Sequence, residues 1–357
     1  MKAALLTGPL AITVSEIPQP QAGEHEVLLR VDACGICGTD VRTYRNGDPR
    51  APYPWLMGHE VVGTVVQIGR EAADSVTVKE GDQVFVASIL SCGSCRWCRA
   101  GRHNLCTLHH LLGFAPFPGA YAEYMVVPEI ALKNVFPLPR GGAPEICTQA
   151  DPFSNVINGQ EILGVSLGDV VVVIGAGPIG CMHAHVARLR GASRVLMFDV
   201  AAERLVLSQQ AVPDPGVSFH HASGDAAVEA VLDATGNEGA QRVVVACSSH
   251  EAQQTALRMA GKQARVLYFG GLPKSRPTIQ FDSNILHYRE VTVCGSYGAT
   301  LPQMQTALEM IASGRVAMER IVTHRLPLSR ADEGFRLLDQ GQALKAVIVP
   351  DGGARGT

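Results

Sequence analysis

The first third of the 357-residue chain carries short apolar or alternating runs separated by turn residues, the pattern of strands. Strands are predicted at 3–6, 11–16, 27–33, 61–68, 84–86 and 119–127, with turns at Gly8-Pro9 and across 18–23. At residue 170 the pattern changes. From there to about 293, apolar runs alternate with helix-like stretches, and strands are predicted at 170–174, 194–199, 230–233, 243–246, 265–269 and 291–294. Such alternation builds βαβ units and a parallel sheet. The tail holds an amphipathic helix at 301–313 ended by Gly314, a second helix at 331–339, and a last strand at 346–349. It is too small for a third core and is expected to return to the first domain. The chain therefore divides into a β-rich domain, 1–157 with 295–357, and an inserted α/β domain, 158–294, a doubly wound parallel sheet.

The α/β domain opens with Gly175-Ala176-Gly177-Pro178-Ile179-Gly180 between a β-branched run and a helix-like stretch. Strand, glycine turn and helix in that order are what a dinucleotide fingerprint requires. The first glycine allows the tight turn, the second lets the backbone approach a pyrophosphate, and the third lets helix and strand pack closely. Free N–H groups and the dipole at the helix start face the anion. Asp199, nineteen residues after Gly180, is placed to accept hydrogen bonds from an adenosine ribose and would repel a 2′-phosphate, so NAD is expected rather than NADP. Arg204 joins the candidate cofactor residues. Segments after the later strands add Asp233 to Asn237, then Cys247 and Ser248, then Gly270, where small residues suit a cofactor crevice.

Charge narrows the function. A net charge of −3 gives no electrostatic case for nucleic acid. No window approaches the ~20 apolar residues of a membrane span, and the first sixteen residues read as a strand rather than a signal peptide. A soluble cytoplasmic protein is expected. The chain has ten cysteines, and Cys92, Cys95, Cys98 and Cys106 have two, two and seven residues between them. Four thiolates at that spacing can close a tetrahedral structural zinc site on one lobe, about 90–108. Cys37 and His59 form a second metal-ligand pair by residue type alone. Taken singly, Cys37 reads better as a small buried residue and His59 as a loop histidine.

These motifs in this order resemble the zinc-dependent medium-chain dehydrogenases, the alcohol and polyol dehydrogenase family, over nearly the whole length: CGICGTD from Cys34, GHE from Gly58 followed by VVGTVV, the four-cysteine lobe, GAYAEY from Gly119, and GxGxxG. The resemblance implies a GroES-like catalytic domain around an inserted Rossmann domain. It also implies one structural zinc and one catalytic zinc, the latter held by Cys37 and His59 with Glu60 as an alternative ligand. Thr39 matches the hydroxyl residue that starts a proton relay. At the third-ligand position polyol dehydrogenases usually carry Glu-Pro and many alcohol dehydrogenases Cys. This chain has Asp151-Pro152, so Asp151 either ligates directly, reaches the zinc through water, or leaves an open position shared with Glu60, with Cys147 a lesser option.

The implied reaction interconverts a secondary alcohol and a ketone with NAD(H). Residues 284–296 resemble members acting on polyols, sugars and cyclitols, whereas Asp151-Pro152-Phe153-Ser154-Asn155 is close to threonine dehydrogenases and makes threonine-type amino alcohols the second substrate class. Phe114, Phe117 and Asn155 fall near family pocket positions, and the two phenylalanines read equally well as loop packing. The resemblance further implies a homodimer or homotetramer paired through the last strand of the cofactor sheet. Two rivals are a zinc-free reductase, which would lack Cys37, His59 and the cysteine lobe, and a non-enzymatic zinc-binding protein, which would lose the relay.

Overall fold

The strand Val27–Gly35 is the spine of the β-rich part of this computed structural model, which describes residues 1–351. Eight of its nine residues are buried, because it lies inside the sheet. It pairs antiparallel with Glu60–Ile68, Tyr124–Val127 and Lys345–Val349. Val135–Pro137, Gln83–Val86 and Val322–Pro327 complete a seven-stranded sheet. A smaller sheet joins Ala11–Glu16, Lys2–Gly8 and Trp55–Leu56. Leu29, Val31, Val61, Val86, Tyr121 and Phe335 are among the residues of the core. The tail does return here: Val347 is opposite Gly35 and Ile348 opposite Cys34.

The strand expected at 119–127 is confined to Tyr124–Val127. The amides of Gly119, Ala120 and Tyr121 instead donate to the carbonyls of Leu56, Gly58 and Met57 at 2.8, 3.0 and 3.0 Å. Gly119 permits this, since a Cβ there would stand 2.4 Å from the Met57 carbonyl. The parallel pairing of Val322–Pro327 with Lys345–Val349 was not anticipated.

Two compact units make up the chain: Met1–Ser154 together with the chain from Gly298 onward, and Asn155–Tyr297. The second unit is a six-stranded parallel sheet with the strands in the order Val217–His221, Arg194–Asp199, Val170–Ile174, Ala240–Val245, Ala260–Tyr268, Thr292–Gly295. Numbered along the chain this is 3-2-1-4-5-6, the Rossmann order.

One expected strand is wrong. Residues 230–233 lie in the helix Gly224–Ala234, whose Ala227, Val228 and Val231 are buried at helical spacing. The third strand is Val217–His221, masked in the sequence by Ser218, His220 and His221. Asp233 to Asn237 therefore follow a helix and lead into the start of a strand, at the end of the sheet away from the fingerprint. Among the described residues no helix is long and apolar enough to cross a membrane.

Candidate active site and cofactor site

Cys37 caps the helix Gly38–Asn46. Its Sγ accepts from the Thr39 amide at 3.5 Å, and its own amide donates to Asp40 Oδ2 at 3.1 Å. This reciprocal box sets the Cys37 side chain at the helix N-terminus. Asp40 is fully buried and also accepts from the Tyr121 hydroxyl at 2.8 Å, while its Oδ1 stands 3.4 Å from His59 Nδ1. Burial alone would raise the Asp40 carboxyl, but His59, Tyr121 and the Cys37 amide outweigh it and hold the group below its usual range. An anionic Asp40 can thus orient the His59 ring, as carboxylates behind metal-ligating histidines do.

Ligand atoms of Cys37, His59 and Glu60 lie within 4.8 Å of one another. Around a zinc ion bound at about 2.0–2.3 Å, tetrahedral ligands stand roughly 3.3–3.8 Å apart, so Cys37, His59 and Glu60 are the residues that would hold it. The donor set of thiolate, imidazole and carboxylate fits zinc. Glu60 is fully buried, and Lys345 Nζ lies 2.7 Å from its Oε1. Burial opposes the Lys345 charge, but Glu60 overcomes it and keeps the ammonium protonated. Asp151 does not join the group: its Oδ2 accepts a hydrogen bond from the Ser88 hydroxyl, and Glu60 stands beside Cys37 and His59 instead. An aspartate set in the first turn of the helix Ala150–Leu163 has one methylene fewer with which to reach.

Thr39 is half-buried, and its Oγ1 accepts from Arg42 at 3.3 Å. The Phe114 ring is buried 6.3 Å from the His59 ring, with the Arg50 guanidinium 4.7 Å over it. Phe117 packs against His110 at 5.4 Å. Asn155 belongs to the other unit, where its Oδ1 is buried without a hydrogen-bond partner.

In the lobe, Cys92, Cys95, Cys98 and Cys106 converge within 4.8 Å. The Cys95–Cys98 and Cys92–Cys98 Sγ separations are 3.6 and 4.0 Å. Four thiolates about 2.3 Å from a tetrahedral ion stand about 3.8 Å apart, so this set fits a closed zinc site. The Cys95 amide donates to Cys92 and pulls its thiol down to about 6, and the Cys98 amide pulls Cys95 down to about 7. Burial pushes Cys98 up to about 11.

In the second unit the three glycines play separate parts. Gly175 has φ +107°, a turn a side chain would strain. A Cβ on Gly180 would stand 1.9 Å from the Gly175 carbonyl oxygen. A Cβ on Gly177 would meet nothing, so the space over the start of the helix Pro178–Leu189, whose first turn holds Pro178 and Ile179, is left for a ligand. Asp199 accepts from the Ala176 and Ala201 amides at 2.8 and 2.9 Å and lines a cavity of about 180 Å³ with Arg204, Cys247 and Thr255. Ser249 caps the next helix, with Ser248 in the same turn, and Gly270 approaches so closely that a Cβ would stand 2.3 Å from the Cys247 carbonyl.

The residue pattern alone did not point to Asp40, Ser88, Tyr121 or Lys345. Only Asp40 had a local signal, its capping-box spacing from Cys37.

A thiolate, imidazole and carboxylate cluster in one unit and a Rossmann fingerprint in the other define a metal-assisted, dinucleotide-dependent oxidoreductase. Residues 23–140 match the alcohol dehydrogenase GroES-like domain, and residues 178–313 match the zinc-binding dehydrogenase domain. The chain is 32% identical to an L-threonine 3-dehydrogenase of Bacillus velezensis over 95% of each chain. It is 30% identical to a sorbitol dehydrogenase of Bombyx mori over 97% of each. The solved alcohol dehydrogenase of Thermus sp. ATN1 superposes with a TM-score of 0.87 at 31% identity, covering 98% of this chain and 99% of that one. The chain belongs to the zinc-dependent medium-chain dehydrogenases, oxidoreductases acting on CH–OH groups.

Proposed function

We propose that this chain interconverts a secondary alcohol of a polyol, sugar or cyclitol and the corresponding ketone with NAD(H). The observation that carries the reading is the convergence of Cys37, His59 and Glu60 with Thr39 on the helix that Cys37 caps. Zinc held by this set supplies a Lewis acid that lowers the pKa of the substrate hydroxyl. Nicotinamide supplies the hydride acceptor or donor. Thr39 Oγ1 takes the alcohol proton and passes its own onward, while Asp40 keeps the His59 ring in position. The amides at the start of the helix Pro178–Leu189 hold the pyrophosphate, and Asp199 selects NAD by repelling a 2′-phosphate. The second zinc, in the cysteine lobe, has no open position and serves the fold.

Oligomerisation follows from the sheet edge. Thr292–Gly295 is an outer strand with Val293 and Tyr297 exposed beside it, and pairing through it gives a homodimer that can stack into a homotetramer. All ten cysteines are free, as suits the reducing cytoplasm.

A second reading, a threonine-type amino alcohol, is favoured by the run Asp151-Pro152-Phe153-Ser154-Asn155 and by the 32% identity to an L-threonine 3-dehydrogenase. One screen tests both: polyols, sugars, cyclitols and amino alcohols with NAD and NADP in parallel, read by reduced-cofactor absorbance. Turnover of neutral polyols with NAD is expected. Exclusive turnover of amino alcohols favours the second reading, a strong NADP preference refutes the role of Asp199, and no turnover of any alcohol by zinc-replete protein refutes the enzyme assignment.

A further inference from the structure

Asp151 and Glu60 compete for one place beside Cys37 and His59, and the fold treats them differently. Glu60 directly follows His59 at the start of the strand Glu60–Ile68. Its oxygens lie 2.7 and 2.5 Å from Lys345 Nζ. Gly35 makes room for it, since a Cβ there would stand 2.1 Å from Glu60 Oε2. Asp151 is held elsewhere. Its backbone carbonyl accepts from Ser154 Oγ at 2.6 Å, and its Oδ2 accepts from Ser88 Oγ.

Ser88 itself cannot easily follow a moving carboxylate. The buried Asn134 side chain donates to the carbonyls on either side of it, Ala87 at 2.8 Å and Ile89 at 2.7 Å. The Leu112 amide donates to the Ser88 carbonyl at 3.0 Å. A pinned hydroxyl therefore faces a carboxylate on a pinned helical turn, and both are nearly inaccessible to water.

We propose that Ser88 is a positioning residue that keeps Asp151 out of the catalytic metal's ligand set, leaving Cys37, His59 and Glu60 as its protein ligands. The proposal rests on the reading that these residues hold zinc. Turning Asp151 toward the metal breaks a buried hydrogen bond and strands the Ser88 hydroxyl, which costs more than the bond itself. It also brings a second carboxylate beside one that Lys345 already fixes. Three protein ligands leave the fourth position for substrate, as catalytic zinc sites require.

The test is metal content after competition with a chelator, together with the visible bands of cobalt(II) exchanged into the site, which report ligand identity. In otherwise wild-type protein, Asp151→Asn is expected to leave the bands and the affinity unmoved, and Glu60→Gln to weaken binding by about tenfold or more. Ser88→Ala shifts the bands as Asp151 enters, Ser88→Thr restores them, and adding Asp151→Asn to Ser88→Ala reverses the shift. The proposal is overturned if Asp151→Asn alone perturbs the bands as Glu60→Gln does, or if Ser88→Ala leaves them unmoved in protein that takes up both metals. Asp151→Asn keeps the test open should Ser88→Ala fail to fold. A wild-type chain that takes up only the lobe's metal refutes the catalytic-zinc reading, and the proposal with it.

Discussion

Gly177→Ala and Gly180→Ala separate cofactor binding from stability within a single turn. At Gly177 the backbone has φ −75° and ψ −176°, which alanine adopts freely, and no heavy atom lies within 4 Å of the added Cβ. Losing unfolded-chain freedom favours the variant by about 0.4–1 kcal/mol. Gly177 is also a helix N-cap, where alanine is disfavoured by a similar amount, roughly 0.5–1 kcal/mol. The two offset, and the apo protein should melt within about 3 °C of wild type.

Binding should respond differently. The methyl group enters the space where the pyrophosphate meets the helix amides, and each charge-assisted bond lost is worth about 1.5–3 kcal/mol. A loss of about 2.8 kcal/mol is a hundredfold in Kd. Gly180→Ala behaves otherwise, because its Cβ would stand 1.9 Å from the Gly175 carbonyl oxygen, where contacts under 3.0 Å are not sustained. The helix must withdraw from the strand, at about 1–3 kcal/mol of stability, and binding falls with it. Thermal unfolding without ligand and NADH fluorescence titration measure the two quantities. Wild-type NADH affinity in Gly177→Ala would show that no phosphate lies over that residue, and a melting loss equal to that of Gly180→Ala would show that the space is not open.

Thr39→Ala should lower kcat by about 10²-fold or more with little change in NADH binding, and Thr39→Ser should recover most of it; unchanged turnover in the alanine variant removes Thr39 from the relay. Asp199→Ser should weaken NAD and improve NADP, measured as the ratio of kcat/KM values; a ratio that does not move refutes the charge argument. His183 is buried, and burial pushes it down to about 3 from 6.5, so the folded state favours its neutral form. Its contribution is intact above pH 6.5 and is lost as pH falls toward 3, at about 1.4 kcal/mol per unit. By pH 5 the loss is about 2 kcal/mol, and urea unfolding of His183→Gln should lack that part of the slope. Cys95→Ala should remove the lobe's zinc and lower the melting temperature while leaving NADH affinity intact, since the lobe and the fingerprint lie in different units.

What could be read from the sequence was what is written locally. The fingerprint keeps strand, glycine turn and helix contiguous, and the lobe packs its four cysteines into fifteen residues, so each declares its chemistry by spacing. The strand Val217–His221 did not, because polar residues at 218, 220 and 221 break the apolar run, while the three apolar residues at 230–232 imitate a strand although the helix Gly224–Ala234 contains them. Short apolar runs carry no period long enough to separate the two.

The candidate metal site shows the same division more sharply. Cys37, His59 and Glu60 could be named from residue type and resemblance, but what selects among carboxylates could not. Lys345 reaches Glu60 across 285 positions and Ser88 reaches Asp151 across 63. Neither partner stands in a motif. Lys345 is a charge at the head of an apolar strand, and Ser88 is a small residue after another. Both carboxylates are fixed by tertiary contacts, and what separates them is where each is fixed. Lys345 holds Glu60 beside Cys37 and His59, whereas Ser88 holds Asp151 outside that cluster.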